Sequence, residues 1–465
     1  MTTTRISDEQ SHGGPAVVFD FEGRTVTARQ GDTIAAALIA DGLNVFGRSW
    51  KYHRPRGYRC GHGHCSACSM RVDGLPGVRT CVTPARAGMK VEREHALPSA
   101  DHDVLQAAGL FAPLMPPGFY YRWFRHSPRL WGVFERGLSR VSGQGDMPSP
   151  EAVAQFGEAR CERRERVDVL VIGGGLAGLS AALAAAEAGA DVMLAEQDDR
   201  LGGRALDLPV TASEPRLALE LVAKAIGHPR IEVLTAASAV GWYDENIVAI
   251  DRAPDLLVVA PREVVLASGG YDLGLPFPGW DKPGVMLAAG ARRLLHRHGV
   301  KPGRRAAVIT TNDLGYDLAA ELAAAGIELA CLIDSRPRQA IRSELVDRTD
   351  ASSVPMLSGA TSAQAHGLNR VASLSVRPSD QRRPIRYGCD LVCISAGVRP
   401  ADDLDYQARA DGSVLLSSRQ SNGRWEPIQA GLVAGTKSGT SAMEQGAQAG
   451  KQAAFAAEKG GSRLS

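Results

Sequence analysis

Alternating and continuous apolar runs predict a small domain at the start of the chain. Residues 16–42 read AVVFDFEGRTVTARQGDTIAAALIADG, in which two strand-like segments flank a glycine and an apolar run follows Asp32 or Thr33. This order predicts a strand, a glycine turn, a second strand and a helix with Asp32 or Thr33 as its N-cap. The later segments SMRVDG and VRTCVT predict two short strands joined by a Gly/Pro turn. We therefore predict a mixed α/β domain over residues 16–100.

A connector with a high density of aromatic residues follows at residues 101–165. The stretch FAPLMPPGFYYRWFRHSPRLWGVFERGL holds eight of the 25 aromatic residues in the chain. This density favours either a docking surface for a neighbouring module or subunit, or packing between two domains of the same chain. The run CERRERVD at residues 161–168 mixes charges of both signs and predicts a solvated linker.

From residue 166 onward, strands and helices alternate, and the strands are rich in alanine, valine and leucine, as a doubly wound sheet requires. Residues 304–336 repeat the strand–helix–strand rhythm of residues 166–196 and predict a second nucleotide-type domain. The predicted organisation is a disordered N-terminus at 1–15, the small domain at 16–100, the connector at 101–165, a dinucleotide-binding domain at 166–300 and 386–465, and a second nucleotide-like domain at 301–385.

Charge and composition narrow the classes of function and the compartment. The formal net charge of +2 argues against a nucleic-acid footprint. The polar start MTTTRISDEQSHGGP has no apolar core of a secretory signal, and the run LSAALAAAEAGA is too short for a membrane span. We therefore expect a cytoplasmic protein, in which clustered cysteines bind metal more often than they form disulfides.

The stretch RCGHGHCSACSM at residues 59–70 has the C-x₄-C-x₂-C spacing of a plant-type 2Fe–2S site. The small residues between its cysteines suit a thin loop around a cluster, whereas zinc sites favour two separated C-x₂-C hooks and remain the alternative. His62 and His64 are expected to be loop residues near the cluster, not ligands. The candidate ligands are Cys60, Cys65, Cys68 and Cys81.

The segment VDVLVIGGGLAGLSAALAAAEAGADVMLAEQ predicts a dinucleotide site. Its G-x-G-x-x-G motif follows an apolar strand and opens an alanine-rich helix. Glu196 ends the next strand, where a carboxylate accepts hydrogen bonds from the adenosine ribose and repels a 2′-phosphate, so NADP is not expected.

FAD is the first choice for this site and NAD the alternative. LGGRALD after the acid is typical of flavoproteins that hold extended FAD, and AGLVAGTKSGTSAMEQGAQAGKQAA predicts a strand ending in Gly435 and a helix of small residues at the second flavin contact. Thr436 stands where such proteins usually carry the ribityl-binding acid. The candidate dinucleotide-binding residues are Gly173, Gly175, Leu176, Ala177, Gly178, Glu196, Gln197, Gly202, Gly203, Arg204, Gly435 and Thr436.

The second nucleotide-type unit has lost most of its glycines. TTNDLGY keeps only Gly315, so the loop predicts a structural role, with a modified nucleotide site as the alternative. Cys389 and Cys393 are predicted to be packing residues on a buried strand. No catalytic acid, base or nucleophile is identified.

Several stretches together resemble the α subunit of heterotetrameric sarcosine oxidase and the large subunits of opine oxidase, hydrogen cyanide synthase and hydroxyproline dehydrogenase. They are RSWKYHRPRG, PPGFYYRWF, GGGLAGLSAA, GWYDENIVAI, FPGWDKPGVM, GVKPGRRAAVITTND and ISAGVRP. The resemblance implies an α/β fold, with a ferredoxin-like β-grasp domain before a flavoprotein of the glutathione-reductase type that has two dinucleotide-binding domains.

Two departures from sarcosine oxidase shape the functional expectation. The chain lacks the aminomethyltransferase-like C-terminal half of that α subunit, so formaldehyde transfer to tetrahydrofolate is not expected. It keeps four cysteines that those α subunits lack, which makes it more like the opine oxidase and hydroxyproline dehydrogenase systems. The sarcosine oxidase α subunit resembles a flavoprotein yet holds NAD, which keeps NAD as the alternative here.

The resemblance implies an FAD-dependent oxidoreductase subunit that acts on CH–NH donors. Its partner would be an FAD-containing β subunit of amino-acid-oxidase type, which oxidises a small amine or imino acid and passes electrons to this chain. The alternative is an NAD-binding scaffold subunit that assembles with a catalytic β subunit. Neither a nucleic-acid partner nor a membrane span is expected.

Overall fold

A computed structural model describes most of the chain. The described residues are 5–6, 16–50, 52–94, 96–107, 109, 127, 130–136, 148–158, 160–351, 354–360, 362–379, 381–409, 427–436 and 438–461. The N-terminus predicted to be disordered lies outside them except for Arg5 and Ile6, and most of the aromatic connector lies outside them as well. Within these ranges, no helix combines the length and hydropathy that crossing a membrane requires.

A five-stranded sheet and one helix form the N-terminal domain. The elements are β1 (Ala16–Phe21), β2 (Arg24–Arg29), α1 (Ile34–Ala40), β3 (Gly47–Arg48), β4 (Pro55–Arg56), β5 (Ser69–Val72), β6 (Leu75–Arg79) and β7 (Lys90–Glu92). The sheet order is β2-β1-β7-β5-β6. Thr33 is the N-cap of α1, since its hydroxyl accepts a hydrogen bond from the Ala36 N–H at 3.3 Å. The predicted strand–turn–strand–helix order is therefore confirmed.

The predicted Gly/Pro turn between the last two strands of this part is wrong. Residues 75–79 with the sequence LPGVR form β6, and the turn lies at Asp73 and Gly74 instead. β6 is the edge of the sheet, where proline is tolerated because its missing N–H faces away from the ladder. Cys81 consequently follows the end of β6 and does not lie within a strand.

A seven-stranded sheet forms the core of the first dinucleotide-binding domain. Its part of the chain contains α2 (Pro150–Glu158), β8 (Glu162–Ile172), α3 (Leu176–Glu187), β9 (Val192–Ala195), α4 (Ser213–Gly227), β10 (Ile231–Leu234), β11 (Ser238–Tyr243), β12 (Ile247–Arg252), β13 (Asp255–Leu266) and β14 (Gly270–Asp272). The sheet order is β10-β9-β8-β13-β12-β11, with a further short strand beside β13. β8, β9, β10 and β13 run parallel and bury apolar residues on both faces, as the sequence pattern predicts.

The prediction of a solvated linker at residues 161–168 is wrong. Residues 162–168 are the first part of β8 and pair in parallel with β13, from Glu162 opposite Leu256 onward. Residues 162–166 are nevertheless exposed. Charged side chains are compatible with a strand here because the backbone hydrogen bonds are made by the neighbouring strand.

The second nucleotide-like domain contains a five-stranded parallel sheet of order β15-β22-β16-β17-β18 and a three-stranded antiparallel sheet. Its elements are β15 (Val285–Leu287), α5 (Ala288–Arg292), β16 (Arg305–Thr310), α6 (Leu314–Ala324), β17 (Glu328–Asp334), α7 (Ser343–Ala351), β18 (Met356–Ser358), β19 (Ser362–His366), β20 (Ser373–Arg377), β21 (Ile385–Gly388) and β22 (Leu391–Ser395). A π-helical turn, Arg293–Arg297, continues α5.

The C-terminal segment returns to the first dinucleotide-binding domain. It contains β23 (Val398–Pro400), α8 (Asp403–Arg409), β24 (Ile428–Gln429) and α9 (Gly439–Gly461). The strand predicted to end at Gly435 is wrong, since residues 431–434 form a 3₁₀ turn after the two-residue β24. α9 packs directly on α3. The two helices are so close at Gly446 and Gly450 that a side chain at either glycine would overlap the carbonyl oxygen of Ala177 or Ala181.

The chain divides into two compact units. One comprises residues 1–153 and 272–397, and the other comprises residues 154–271 and 398–465. In the first unit, one continuous core joins the N-terminal sheet and α1 to β15, β16, β17 and β22. The N-terminal domain and the second nucleotide-like domain are therefore packed as one body.

Candidate cofactor sites

The four candidate thiols of the N-terminal domain come together at one place. The Cys65 thiol lies 3.4 Å from the Cys60 sulfur. Cys81 is within hydrogen-bonding distance of both Cys60 and Cys68, so the four sulfurs form a continuous group. Cys60, Cys68 and Cys81 are buried and Cys65 is partly exposed. Residues that are 21 positions apart along the chain thus present their sulfurs to one another.

Hydrogen bonds to the sulfurs favour the thiolate at two of the four cysteines, Cys60 and Cys68. The pKa of Cys60 is lowered by the hydrogen bond from Cys65 and by backbone N–H groups of His62 and Cys65, although burial opposes this. The pKa of Cys68 is lowered by its hydrogen bond with Cys81. Because each pair shares a proton, the pKa values of Cys65 and Cys81 are raised.

These residues fit an iron–sulfur cluster. Four converging sulfurs and a thin loop with backbone N–H groups aimed at sulfur are what such a cluster requires. Among the described residues, these four cysteines included, no group of three or more His, Cys, Asp or Glu side chains is arranged to hold a metal ion as the side chains stand. His62 is buried and His64 is exposed, and their stacked rings have centroids 6.1 Å apart.

The cysteine loop, residues 59–70, contacts the second nucleotide-like domain within the same compact unit. The Leu287 N–H donates to the Arg59 carbonyl oxygen at 3.0 Å. A side chain at Gly290 would come within 2.5 Å of that same oxygen, and one at Gly61 within 2.5 Å of the Tyr58 hydroxyl. The backbone of α5 therefore approaches the loop as closely as glycine permits.

The first glycine loop has the geometry of a dinucleotide site. Gly173 has a φ of +108°, and a side chain there would overlap the Ala267 carbonyl oxygen. A side chain at Gly178 would overlap the Gly173 carbonyl oxygen, so helix and strand meet too closely for any other residue. A side chain at Gly175 would meet no described atom within 4 Å, which leaves space at the start of α3 for a pyrophosphate.

Glu196 is positioned by the glycine loop itself. It is 7% exposed, and its two carboxylate oxygens accept backbone N–H bonds from Gly174 at 2.6 Å and Asp198 at 2.8 Å. A carboxylate oxygen has two lone pairs, so each can accept more than one hydrogen bond. Gln197, the next candidate, is exposed.

The turn at residues 202–207 lies over the glycine loop. The Gly202 N–H donates to the Gly174 carbonyl oxygen at 2.8 Å, and a side chain at Gly203 would lie 2.9 Å from the Cα of Gly175. Arg204 donates to the Gly270 carbonyl oxygen at 2.9 Å and so braces the turn.

The remaining candidates lie at the head of α3 and near α9. Leu176 and Ala177 are the first two residues of α3. Gly435 has a φ of +87° and is exposed, while the hydroxyl oxygen of Thr436 is buried with no hydrogen-bond partner among the described residues. A buried hydroxyl in that state fits a polar ligand group at this turn.

Sequence reasoning missed three buried charged residues near these sites. Asp198 and Asp207 are 6% and 3% exposed and belong to the segment around Glu196 and the 202–207 turn. The pattern acid–polar–acid after a buried strand could have indicated Asp198. Arg293, 2% exposed, contacts His62 across 231 positions, and nothing in the local sequence indicates it.

The second glycine-type loop is filled by its own side chains. The Thr310 hydroxyl donates to the Asn312 carbonyl oxygen at 2.7 Å, and Asn312 hydrogen-bonds Ser395. The Asp313 carboxylate, which precedes α6, accepts from both Arg336 and Arg342 at 2.9 Å. Asp313 makes no hydrogen bond to the first N–H groups of α6, and the Leu314 N–H donates to the Asn312 side chain at 3.0 Å instead.

The acid that ends β17 is also engaged. Asp334 is fully buried and accepts hydrogen bonds from Arg336 at 2.8 Å and from the Tyr316 hydroxyl at 3.0 Å. This arrangement supports the structural role predicted for the loop. Cys389 and Cys393 are both buried, and burial raises their pKa values to about 11 and about 12, as expected of packing residues.

Two protein families match the chain in separate regions. Residues 14–96 match the 2Fe-2S iron-sulfur cluster binding domain, and residues 167–417 match pyridine nucleotide-disulphide oxidoreductase. The first match covers the four converging thiols and supports the cluster over zinc. The second covers the first glycine loop and confirms the predicted fold class.

Similar proteins include subunits of amine-oxidising enzymes. The chain is 35% identical to the alpha subunit of sarcosine oxidase from Rhizobium meliloti (strain 1021) over 69% of its length and 34% of that protein. It is 31% identical to an opine oxidase subunit of Agrobacterium tumefaciens (strain Ach5) over 36% of its length and 37% of that protein. These matches confirm the resemblance inferred from the sequence motifs.

A solved structure shares the architecture of nearly the whole chain. L-proline dehydrogenase from P. horikoshii superposes with a TM-score of 0.65 at 20% identity, covering 97% of this chain and 75% of that one. At this identity the likeness bears on the fold alone. The chain spans 34–46% of the length of the sarcosine oxidase subunits that it matches.

Proposed function

The chain belongs to the pyridine nucleotide-disulphide oxidoreductase family, and we propose that it is a redox subunit of a multi-subunit amine or imino-acid dehydrogenase or oxidase. The observation that carries this proposal is the presence in one chain of a converged four-thiol loop and an open glycine loop. The four-thiol loop suits a cofactor that transfers one electron at a time, and the glycine loop suits a dinucleotide that transfers two.

The proposed cluster ligands are Cys60, Cys65, Cys68 and Cys81. The backbone N–H groups around Cys60 stabilise its thiolate, and they would stabilise negative charge on the same sulfur in a cluster. When bound, a 2Fe–2S cluster accepts and releases single electrons. The chain's contribution is to bury the site on one side and leave it open at Cys65.

We propose FAD for the first glycine loop. Gly175 leaves room for the pyrophosphate, Glu196 binds the ribose, and the turn at 202–207 covers the loop. A flavin there would exchange electrons with the cluster or with a partner. The buried Thr436 hydroxyl would donate a hydrogen bond to the cofactor in place of the usual carboxylate.

We further propose that the amine is oxidised on a partner. No catalytic acid or base is identified in the chain, and the similar proteins named above are subunits of sarcosine and opine oxidases. An FAD-containing β subunit of amino-acid-oxidase type would oxidise a small amine or imino acid. This chain would then receive the electrons.

The cofactors can be counted on the protein purified under anaerobic conditions. Low-temperature EPR after dithionite reduction, iron analysis and release of the nucleotide by denaturation should give one cluster spin and one FAD per chain. The variant Cys81→Ser should lose the cluster signal and keep the nucleotide. Cys389→Ser is the matched control, since Cys389 is also buried and lies outside the loop.

Zinc in place of iron, with a silent EPR spectrum, would overturn the electron-transfer proposal. If Cys389→Ser lost the cluster signal to the same extent as Cys81→Ser, the assignment of Cys60, Cys65, Cys68 and Cys81 as the ligands would be contradicted.

A second candidate function is an NAD-binding scaffold subunit for the catalytic partner. Thr436 favours it, because no carboxylate follows Gly435 to bind a ribityl chain. Released NAD without flavin would support the scaffold. A flavin absorbance that substrate bleaches only when the β subunit is present would support electron transfer.

A further inference from the structure

One buried arginine of the second nucleotide-like domain contacts the cysteine loop at residues 59–70. Arg293 begins the π-helical turn Arg293–Arg297 that continues α5, and it is 2% exposed. Its Nη1 atom lies 3.2 Å from Nδ1 of His62. His62 is the second residue after Cys60 and is 8% exposed. The contact joins residues that are 231 positions apart.

The chemistry of this contact determines which group donates. A guanidinium is always protonated and has no acceptor, so the N–H of Arg293 donates and the imidazole Nδ1 of His62 accepts. The positive charge therefore stays on Arg293. The donor orients the ring of His62, whose backbone N–H bonds the Cys60 sulfur.

The cysteine loop lies against the helix that leads into Arg293, since a side chain at Gly61 would come within 2.9 Å of the Gly290 Cα. Gly290, three residues before Arg293, is the point where α5 touches the carbonyl of Arg59. α5 thus brings a buried cation to the loop.

One buried acid of this compact unit, Asp32, is bound by a cation and lies close to a buried histidine. Asp32 accepts from Arg5 at 2.6 Å, and its carboxylate lies 3.5 Å from Nδ1 of His298. Arg293 and Arg297 both disfavour a positive charge on His298 and lower its pKa, after the larger effect of burial. Arg293 and Arg297 thus both contribute positive charge to the buried region around His298.

We propose that Arg293 is a positioning residue that sets the reduction potential of the cluster held by Cys60, Cys65, Cys68 and Cys81. This inference rests on the proposed function, because it requires the cluster. Reduction adds one electron and one negative charge to the cluster, while the guanidinium keeps its protons. A buried cation stabilises the reduced form more than the oxidised form, since opposite charges attract strongly in a low-dielectric interior. Arg293 therefore raises the potential.

The test is an EPR-monitored redox titration of the full chain carrying its cluster. Arg293→Gln should shift the midpoint potential to more negative values, whereas Arg293→Lys, which keeps a cation, should stay near wild type. Arg292→Gln is the matched control. Arg292 is the preceding residue, its side chain is 13% exposed, and it pairs with Glu321 at 2.7 Å.

A midpoint potential for Arg293→Gln equal to that of Arg292→Gln would overturn the inference. Loss of the cluster from both Arg293→Gln and Arg293→Met, with Arg293→Lys retaining it, would assign Arg293 to assembly and overturn the inference as well. Thermal unfolding of each variant separates a loss of stability from a change in potential. Absence of a cluster signal in the wild type would instead refute the proposed function.

Discussion

The two glycine-type loops of the chain share one strand–helix–strand frame and differ in what occupies the start of the helix. In the first, between β8 and α3, Gly175 faces open space and Glu196 is oriented by the backbone of the loop. In the second, between β16 and α6, Asp313 is bound by two arginines and the acid Asp334 is bound by Arg336. The frame alone therefore does not make a nucleotide site.

The difference teaches that loop side chains decide whether a helix start can accept a phosphate. Backbone N–H groups at a helix start attract any anion, including a carboxylate of the same chain. In the second loop the Asn312 side chain accepts the Leu314 N–H, and the Asp313 carboxylate is paired with Arg336 and Arg342. The start of α6 is therefore bound by side chains of its own loop, whereas the start of α3 has open space at Gly175.

Adding one methyl group to each loop should give the largest difference between the two loops. Gly178→Ala would overlap the Gly173 carbonyl oxygen and Gly315→Ala would overlap the Thr310 side chain. Both should lower the free energy of unfolding by about 1–3 kcal/mol through overpacking. We expect only Gly178→Ala to lose the bound dinucleotide, measured by its release after denaturation. Equal loss from both variants would mean that the second loop also holds a nucleotide.

Neutralising the acid at the end of each second strand should have a smaller effect. Glu196→Gln loses one of the two backbone hydrogen bonds and its charge, which should weaken dinucleotide binding by about 10- to 100-fold. Asp334→Asn should leave that affinity unchanged and lower stability by about 1–3 kcal/mol, because the negative charge and one of the two acceptor oxygens that Arg336 and Tyr316 bind are lost. Calorimetric titration of the apoprotein and chemical denaturation measure the two effects. A large affinity loss in Asp334→Asn would contradict the assigned roles.

The smallest expected effect concerns the ion pairs that hold α6. Burial raises the pKa of Glu321, but the hydrogen bond from His296 and the charge and hydrogen bonds of Arg292 outweigh it and leave that pKa below its usual value. A lowered carboxyl pKa stabilises the fold above the unfolded-state value of about 4.5, and this contribution disappears as the pH falls through the folded-state value.

Glu321→Gln should therefore be less stable than wild type by about 1–2 kcal/mol at neutral pH, with the difference shrinking as the pH falls below about 4.5. Urea denaturation across this pH range measures it. A difference that stays constant with pH would show that the carboxylate charge does not hold α6.

Much of the architecture could be predicted because its signals are local. The strand and helix of the first glycine loop, the cap at Thr33 and the degenerate second loop all depend on residues within a few positions of one another. The errors at β6 and β8 have a common cause. Pro76 and the charged residues 162–166 look like turn and linker residues, and only their position beside a partner strand makes them strands.

The sequence by itself determined which residues could serve as cluster ligands and which loop has room for a pyrophosphate, because spacing and residue size are local properties. The folded chain adds three contacts: Cys81 joins the other three sulfurs, Asp313 pairs with Arg336, and Arg293 reaches His62. These contacts join residues far apart in the chain, and their partners are set by the packing of buried helices and strands. A buried arginine is placed by its surroundings, since its charge is tolerated only where neighbouring groups bind it.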